Sequence, residues 1–375
     1  MARRHELDLV RISVFLLLII YHVSLMYGSR EFFLKAPDSN IYFDIIHLLS
    51  HPWRMSLLFL ISGVATAFAL ERISATELRS RRSRQLLFPL LIGIALLIPP
   101  QLYVYFNGVA GMQIGIFEVF ARYLTLSPFD LPDGGQHVIV RMEHLWYLAY
   151  LWVYTALLAL LVSMAHDRIP AAGTWLAALL RGAGLLFWPA ALFVLLRVVL
   201  RPHFPPTTNL VNDWYSHGLY LSCFLGGVLL GRQEEFWQQL GRMRRPALIV
   251  ALCCVPALLY QFSMAPLGDH DTWNSIAGNL VLGPFRWCMI VAILGYAQML
   301  RDWRPRALQY LNKAILTYYV LHQTLMLLIA FWLDRMGMFN IAAFVPIVAL
   351  TLAACAIVYE GWRRLNGLLA RPQLA

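Results

Sequence analysis

Long apolar segments, each close to twenty residues, alternate along this chain with short connections that carry most of its arginines. A helix needs about 20 mostly apolar residues to cross the roughly 30 Å hydrocarbon core of a bilayer. We therefore predict an all-α polytopic membrane protein with about ten transmembrane helices. The predicted spans are approximately 9–28, 53–71, 86–106, 144–165, 182–200, 217–231, 247–264, 276–300, 311–333 and 341–360.

The composition supports this class of protein. The 375 residues are 60% hydrophobic and 13% charged, whereas soluble domains are about half apolar and about a quarter charged. These values exclude a soluble enzyme, a disordered chain and a disulfide-stapled secreted module. The formal charge of +10 reflects arginines beside apolar segments, so we expect the lipid bilayer and not nucleic acid as the partner. All five cysteines fall inside predicted spans: Cys223, Cys253, Cys254, Cys288 and Cys355.

The basic residues of the connections are divided unevenly between the two sides of the predicted bundle. Nineteen lie on the side that includes both termini, and six lie on the other: Arg30, Lys35, Arg122, Arg141, Arg201 and Arg335. Cytoplasmic loops carry the excess of Lys and Arg, so we predict cytoplasmic termini. No small-residue cleavage pattern follows the first span, which we interpret as a retained helix. We expect one membrane domain over 1–375, with long outer connections at about 29–52 and 107–143.

Two ionisable residues lie in the first span, where a charged group costs at least about 2.5 kcal/mol to insert. Arg11 and His22 are eleven residues apart, which places them on one helix face with an axial separation of about 16 Å. Asp8 precedes Arg11 by three residues and is expected to pair with it. Singly, they are compatible with a snorkelling Arg and a hydrogen-bonded core His. Together on one face, they favour a functional channel.

A second polar pattern follows at Asp44, His47, His51 and Arg54, which form one stripe if the segment is helical. Pro52 complicates this prediction, because it can begin a helix at its first turn. His and carboxylate groups make a metal site an alternative. An Arg beside the stripe would repel a cation, so a substrate-contacting face is favoured.

Arginines cluster at the start of the third span, at positions 79, 81, 82 and 84. This cluster is a topology determinant, and it also suits an anion site, because Arg contacts phosphate in bidentate fashion. The apolar run before it ends with Ser62 and Gly63, a pair typical of close helix packing.

Glu143 and His144 precede Trp146 and Tyr147 at the outer end of the fourth span. The aromatic residues suit the interfacial belt of a membrane. Adjacent helical residues do not face each other, so the acid and the imidazole are not expected to form a dyad. The other polar residues noted inside spans are Arg286, Tyr318, Tyr319 and His322. For His322, a core histidine bonded to a backbone carbonyl is an equal alternative.

Four segments, in order, resemble the motifs of the membrane acyltransferase 3 family. Arg11 followed after ten residues by His22 resembles its Arg-x(10)-His signature. The segment F-L-I-S-G at 59–63 resembles F-F-x-I-S-G, and H-L-W-Y-L at 144–148 resembles H-L-W-F-L. The segment Y-V-L-H-Q at 319–323 is similar to the late Y-x-x-H-Q element. The order, the spacing and the ten predicted spans agree over nearly the whole chain.

Within that family, H-V-S-L-M-Y at 22–27 and R-M-S-L-L-F at 54–59 are most similar to the glucan biosynthesis protein C branch, which attaches succinyl groups to periplasmic glucans. Two positions depart from the common pattern. Ser56 stands where many members carry an acidic residue, and the arginines before Pro89 are in a shifted register.

The resemblance implies an acyltransferase of the bacterial cytoplasmic (inner) membrane. It would move a succinyl or acetyl group from cytoplasmic acyl-CoA, its co-substrate, to a hydroxyl of a periplasmic or cell-surface glycan. No permanently bound cofactor and no metal are expected. His22 is expected to act as general base or as transient acyl carrier, with Arg11 orienting the donor.

The remaining residues are assigned from the polar patterns described above together with the resemblance. Donor binding is expected of Arg79, Arg81, Arg82 and Arg84. Substrate binding is expected of His51, Arg54, Ser62, Glu143, His144, Trp146, Arg286, Tyr319 and His322.

A transporter or flippase for an anionic or lipid-linked sugar is the alternative from another class, because intramembrane Arg and His residues suit it equally well. Secondary transporters commonly show repeated halves. No convincing internal repeat is visible in this sequence, so the acyltransferase is favoured.

Overall fold

The computed structural model describes residues 4–38, 40–132, 134–165, 168–264 and 276–369. These residues form helices joined by turns, with one short antiparallel pair of strands, β1 (Phe129–Asp130) and β2 (Gln136–His137). The helices are α1 (His5–Tyr27), α2 (Ile41–Leu70), α3 (Ala75–Gly108), α4 (Ile116–Leu124), α5 (Trp146–Ala165), α6 (Arg168–Leu179), α7 (Gly184–Leu200), α8 (Trp214–Leu230), α9 (Glu234–Met264), α10 (Ile276–Ala297), α11 (Arg306–Arg335) and α12 (Phe344–Leu369). A 3-10 turn, Glu143–Leu145, leads into α5.

Eight helices within the described residues are long and apolar enough to cross a bilayer, which makes the chain an all-α polytopic membrane protein. Helices α6 and α7 pass the same test only as a pair, bent by 105° at the break between them. Counting that pair as one span gives nine. Helix α8 has 17 residues, or about 26 Å at about 1.5 Å per residue. The prediction of ten spans therefore also requires α8 to cross.

Several helices extend beyond the apolar segments that predict them. Helix α3 begins at Ala75 rather than near 86, and α9 begins at Glu234 rather than near 247. The arginines at 79–84 and 242–245 therefore lie on helices, and their prediction as loop residues was wrong. A helix satisfies its own backbone groups, and Arg is a good helix former, so helical structure continues past the apolar run.

The long connections also differ from the prediction. Helix α2 begins at Ile41, so the first connection is shorter than 29–52 and the stripe from Asp44 to Arg54 is helical. Pro52 lies inside α2 and does not begin a new helix. The second connection contains α4 and the strand pair.

Large apolar side chains lie exposed along the outer faces of individual helices. On α3 they include Phe88 and Leu91, and on α12 they include Val345 and Ile357. In water such faces would mark an interaction surface. On helices of transmembrane length they are the surfaces that contact lipid tails.

The described residues form two compact units. The first unit lies within Met1–Val14, His47–Phe88 and Trp146–Pro305. Here α2 and α8 approach closely through glycines: a Cβ added at Gly63 would lie 2.0 Å from the Phe224 oxygen, and one at Gly227 would lie 2.1 Å from the Leu60 oxygen. Close contact through small residues is typical of membrane helices, and the packing interpretation of Gly63 is confirmed.

The second unit lies within Phe15–Ile46, Pro89–Leu145 and Arg306–Ala375. Its apolar core includes Val23, Tyr27, Val104, Met326 and Phe331, from α1, α3 and α11.

Two charged residues of the second unit fix the chain where α1 ends. The Lys35 ammonium donates to the carbonyls of Leu25 (3.0 Å), Arg30 (2.9 Å) and Gly28. Both oxygens of the buried Asp44 carboxylate accept from the Ser29 amide at 3.0 Å. The Lys35 cation complements the carbonyls at the end of α1, and the Asp44 carboxylate satisfies the backbone amide of Ser29 just beyond it.

Candidate active site

Three histidines from distant parts of the sequence form a cluster in the second unit. His22 lies on α1, His144 in the turn before α5, and His322 near the middle of α11. The ring centroids of His22 and His322 are 5.3 Å apart, and those of His144 and His322 are 5.1 Å apart. The structure therefore brings together three residues that the sequence places in the site.

Backbone carbonyls fix the tautomers of two of these rings. The Nδ1–H of His322 donates to the Tyr319 oxygen (2.7 Å), and the Nε2–H of His144 donates to the Val320 oxygen (3.0 Å). A carbonyl only accepts, so the bonded nitrogen must carry the proton. In the neutral rings the lone pairs are then on Nε2 of His322 and Nδ1 of His144. The predicted alternative for His322, a bond to a backbone carbonyl, is thus also present.

Aromatic residues surround the cluster. Phe15 packs edge-on against His322 at 5.8 Å and against Tyr319 at 5.5 Å. The Tyr319 hydroxyl donates to the backbone oxygen of His144, which ties α11 to the turn. His144, Tyr319 and His322 are buried, whereas His22 is only partly buried. His22 is therefore the imidazole of the cluster best placed to meet a substrate.

The turn that carries His144 has an unusual backbone. Glu143 has φ of 43°, in the left-handed region that a residue with a Cβ rarely adopts. Its carboxylate lies 3.5 Å from the Arg141 guanidinium. A strained backbone conformation persists only where the surrounding structure holds it in place, and such conformations cluster at functional sites. The sequence predicts that Glu143 and His144 do not form a dyad, and their side chains indeed have different partners. Glu143 pairs with Arg141, and His144 donates to the Val320 carbonyl.

A second cluster, of arginines and hydroxyls, lies in the first unit. Arg82 reaches the Thr66 hydroxyl at 3.5 Å. It also lies close to the Tyr147 hydroxyl and to Arg11, whose like charge repels it. The Ser62 and Tyr147 hydroxyls are 2.7 Å apart. Two guanidinium groups beside hydroxyl donors can bind a phosphate or another anion. The predicted pair of Arg11 with Asp8 is present, at 3.6 Å.

The other predicted donor-binding arginines are not part of that cluster in the described structure. Arg79, Arg81 and Arg84 are exposed on the first turns of α3. Arg81 pairs with Glu77 at 2.5 Å. Of the four, only Arg82 is directed toward the hydroxyls of α2.

The histidine stripe of α2 lies partly in the first unit. The rings of His47 and His51 stack at 4.8 Å with an interplanar angle of 14°, and His51 is exposed. Arg54 is only 2% exposed and donates to the Ser50 hydroxyl at 3.3 Å. Within the part of the chain that the structure describes, no group of three or more His, Cys, Asp and Glu side chains is arranged to hold a metal.

Two further predicted residues occupy aromatic surroundings in the first unit. Trp146 lies 5.3 Å from Tyr220 and 6.1 Å from Phe59, between ring centroids. Arg286 is buried, and its Nε donates to the Pro52 carbonyl at 2.5 Å. Its Nη1 lies 3.4 Å from the Tyr215 hydroxyl. Neither residue is in the unit that holds the histidine cluster.

Sequence reasoning missed a buried amide network that holds α3 to α11. Gln101 donates to Thr324 (2.8 Å) and accepts from Gln323 (2.9 Å), and Thr324 donates to the Leu97 carbonyl (3.0 Å). Gln323 follows His322, so this network fixes the segment of α11 that carries the imidazole. An amide in the middle of an apolar span was the available signal.

A polytopic membrane protein that contains a histidine cluster and a cationic hydroxyl cluster has the groups expected of a membrane-embedded transferase. The model of the acyltransferase domain family matches residues 4–360. The chain therefore belongs to the acyltransferase 3 family, and the resemblance predicted from its motifs is confirmed.

Curated relatives carry one recurrent name, Glucans biosynthesis protein C. The protein of that name from Escherichia coli O81 (strain ED1a) is 22% identical over 368 residues, which are 96% of this chain and 91% of that protein. The one from Escherichia coli (strain K12) is 29% identical over 157 residues, which are 41% of this chain and 38% of that protein. The latter match thus covers less than half of its relative's length. No solved structure gives a significant match.

Proposed function

We propose that this protein is a membrane O-acyltransferase that moves a succinyl or acetyl group from acyl-CoA to a hydroxyl of an extracytoplasmic glycan. The observation that carries the proposal is the cluster of His22, His144 and His322, with two tautomers fixed by backbone carbonyls. Transfer to a hydroxyl needs a group that takes a proton near neutral pH, and imidazole suits that task. The family and the name of its relatives agree with this chemistry.

In the direct mechanism, His22 acts as general base. It removes the proton of the acceptor hydroxyl while the oxygen attacks the thioester carbonyl. The new C–O bond forms, the C–S bond breaks, and the CoA thiolate leaves and receives the proton from the imidazolium. His322, whose ring lies 5.3 Å from that of His22, would position the base.

In the two-step mechanism, His22 is the acyl carrier. Its nitrogen attacks the thioester, forms an acyl-imidazole and releases CoA. The acceptor hydroxyl then attacks the acyl-imidazole, and its proton is left on the ring. Both mechanisms give the same ester and free CoA, and they differ in whether CoA leaves before the acceptor is needed.

The donor phosphates or the pantetheine arm would be bound in the first unit by Arg11 and Arg82, beside Ser62, Thr66 and Tyr147. The exposed Arg79, Arg81 and Arg84 would attract the polyanionic donor at longer range.

The remaining assignments concern the acyl group and the acceptor. His51, Glu143, His144, Trp146, Tyr319 and His322 stay candidates for acceptor or acyl contacts. A succinyl carboxylate would need one further cation, and Arg54 and Arg286 are the buried candidates. We propose the bacterial inner membrane as the location.

The test uses purified protein in lipid nanodiscs with acetyl-CoA or succinyl-CoA and a soluble glucan, and it measures release of the CoA thiol. General base catalysis contributes about 10²–10⁴-fold, so His22→Gln is expected to lose activity by that factor. His5→Gln, at the first residue of the same helix, is the matched control and should retain it. Full transfer by His22→Gln would contradict the proposed role. Wild-type protein that releases no CoA would instead favour the transporter.

The two mechanisms can be distinguished by incubating the protein with acyl-CoA in the absence of the glucan acceptor. An acyl carrier releases about one equivalent of CoA in a burst and leaves an acyl group on His22, detectable by intact mass, with ping-pong kinetics. A general base shows neither. For the donor, Arg82→Gln is expected to raise KM for acyl-CoA by about 10- to 150-fold, since a charged hydrogen bond contributes about 1.5–3 kcal/mol. Arg81→Gln, already paired with Glu77, should have a smaller effect.

A further inference from the structure

The connection between α3 and the turn at Glu143 forms a polar cavity of about 200 Å³ in the second unit, and this cavity is open to its surroundings on one side. Four polar side chains line it: Gln113, Glu118, Arg122 and Asp130. Phe129, which is fully buried, lies at its base with Ile114. None of these residues belongs to the motifs that identify the family.

The walls of the cavity are held in place by hydrogen bonds. The Asn107 side chain donates to the Ile114 carbonyl (3.1 Å) and accepts from the Ile114 amide (3.2 Å). Arg122 donates to the Pro128 carbonyl (2.9 Å), which closes the loop after α4. Gln136 on β2 donates to Asp130 on β1 (2.9 Å). Binding sites are usually largely preformed in this way.

The charges of the cavity disfavour an ionic ligand. Arg122 lies 2.8 Å from the Glu118 carboxylate and 3.4 Å from that of Asp130. The guanidinium repels a cation, and the two carboxylates repel an anion. What remains is a mixed set of hydrogen-bond donors and acceptors, from one amide, one guanidinium and two carboxylates. Sugar hydroxyls both donate and accept, so they match such a set.

The cavity is joined to the turn that carries His144. The Tyr123 hydroxyl, on the same helix as Glu118 and Arg122, donates to the Arg141 carbonyl at 3.1 Å. Burial raises the pKa of Tyr123, so the hydroxyl keeps the proton that it donates. Arg141 in turn pairs with Glu143. One helix thus supports both the polar cavity and the strained turn of the histidine cluster.

We propose that this cavity binds a neutral sugar residue of the glycan acceptor, with Gln113, Glu118, Arg122 and Asp130 contacting its hydroxyls. The inference rests on the proposed function and adds to it an acceptor subsite outside the family motifs. A hexose at this position would anchor the chain while another residue of the same glycan presents its hydroxyl to the histidine cluster.

Calorimetry with a linear β-linked glucose tetrasaccharide tests the site directly. The protein is held in nanodiscs, because sugar-based detergents would compete. Gln113 is exposed and hydrogen-bonds to none of the described residues, so Gln113→Ala leaves the walls intact. Loss of one hydrogen bond of about 1.4 kcal/mol predicts about tenfold weaker binding. Asp130→Asn is the second variant and is also expected to weaken binding. Glu360→Gln, which removes the acid partner of Arg363 on α12, is the matched control with unchanged affinity.

Kinetics then separate this inference from the proposed function. In the acyl-transfer assay, Gln113→Ala is expected to raise KM for the glucan about tenfold and to leave KM for acyl-CoA and kcat unchanged. Equal affinity of wild type and both variants, or no binding by wild type, would overturn the subsite. Normal binding of the tetrasaccharide by a protein that transfers no acyl group would support the subsite and end the acyltransferase proposal instead.

Discussion

The contact between α2 and α8 depends on glycine, and a pair of neighbouring glycines allows a controlled test. An alanine Cβ at position 227 would lie 2.1 Å from the Leu60 oxygen, whereas a Cβ at Gly226 meets nothing within 4 Å. Real Cβ contacts essentially never fall below 3.0 Å, so Gly227→Ala must separate the two helices by about 0.9 Å. Gly226→Ala requires no movement.

The difference between the two variants gives the magnitude. In each variant, the higher helix propensity of alanine stabilises the fold by up to about 1 kcal/mol. This contribution cancels when the two variants are compared. Overpacking costs typically about 1–3 kcal/mol. We therefore expect Gly227→Ala to be less stable than Gly226→Ala by about 1–3 kcal/mol, which lowers Tm by about 1–4 °C in a chain of this length.

A thiol-reactive fluorophore can report the unfolding. Cys223, Cys288 and Cys355 are buried and become reactive only when the fold opens, whereas Cys253 is exposed and sets the baseline. Equal melting temperatures for Gly226→Ala and Gly227→Ala would refute the close-packing argument. A normal melting temperature for Gly63→Ala, whose Cβ would lie 2.0 Å from the Phe224 oxygen, would refute it as well.

Three further predictions concern other parts of the fold. Gln101→Leu removes the bonds to Gln323 and Thr324 and is expected to destabilise the protein by about 1–3 kcal/mol, measured by the same fluorophore; unchanged stability would show that the network is not structural. Burial lowers the pKa of Lys35, so the unfolded chain keeps the proton of this ammonium group to higher pH than the folded protein does. The Tm of wild type minus that of Lys35→Met should therefore rise as pH increases from neutral toward the pKa of the unfolded chain. A difference in Tm that falls over this pH range would contradict the prediction. If α8 crosses the bilayer, single cysteines at Thr207 and Gln233 are labelled from opposite sides of the membrane in a cysteine-free background; labelling from one side would leave α8 within one leaflet.

The helical membrane fold and its family could be predicted from the sequence because both depend on local patterns. Apolar runs of transmembrane length locate most of the helices. The motif around His22 and the motif around His322 each lie on a single helix, so the spacing of their residues can be recognised in the sequence. Their assignment to one site came from the family resemblance, and the structure places their ring centroids 5.3 Å apart.

The parts that could not be predicted depend on contacts between distant segments. Gly227 supports the packing of Leu60, and Gln101 supports Gln323, but neither pairing leaves a local signature. The start of α2 at Ile41 was missed because Asp44, His47 and His51 interrupt the apolar residues of its first turns and Pro52 follows them. Hydropathy alone therefore does not mark this segment as part of a membrane span. Arg82 differs from Arg81 only in the direction it faces on α3, which depends on the packing of that helix.

The backbone conformation of Glu143 affects both the thermal stability of the protein and the position of the neighbouring His144. A non-glycine residue at φ of 43° carries a conformational cost on the order of 1–3 kcal/mol, and glycine at that position would remove it. The Glu143→Gly variant should therefore tolerate more heat. Glycine is also the most flexible residue, so the neighbouring imidazole of His144 would be held less firmly at the Val320 carbonyl.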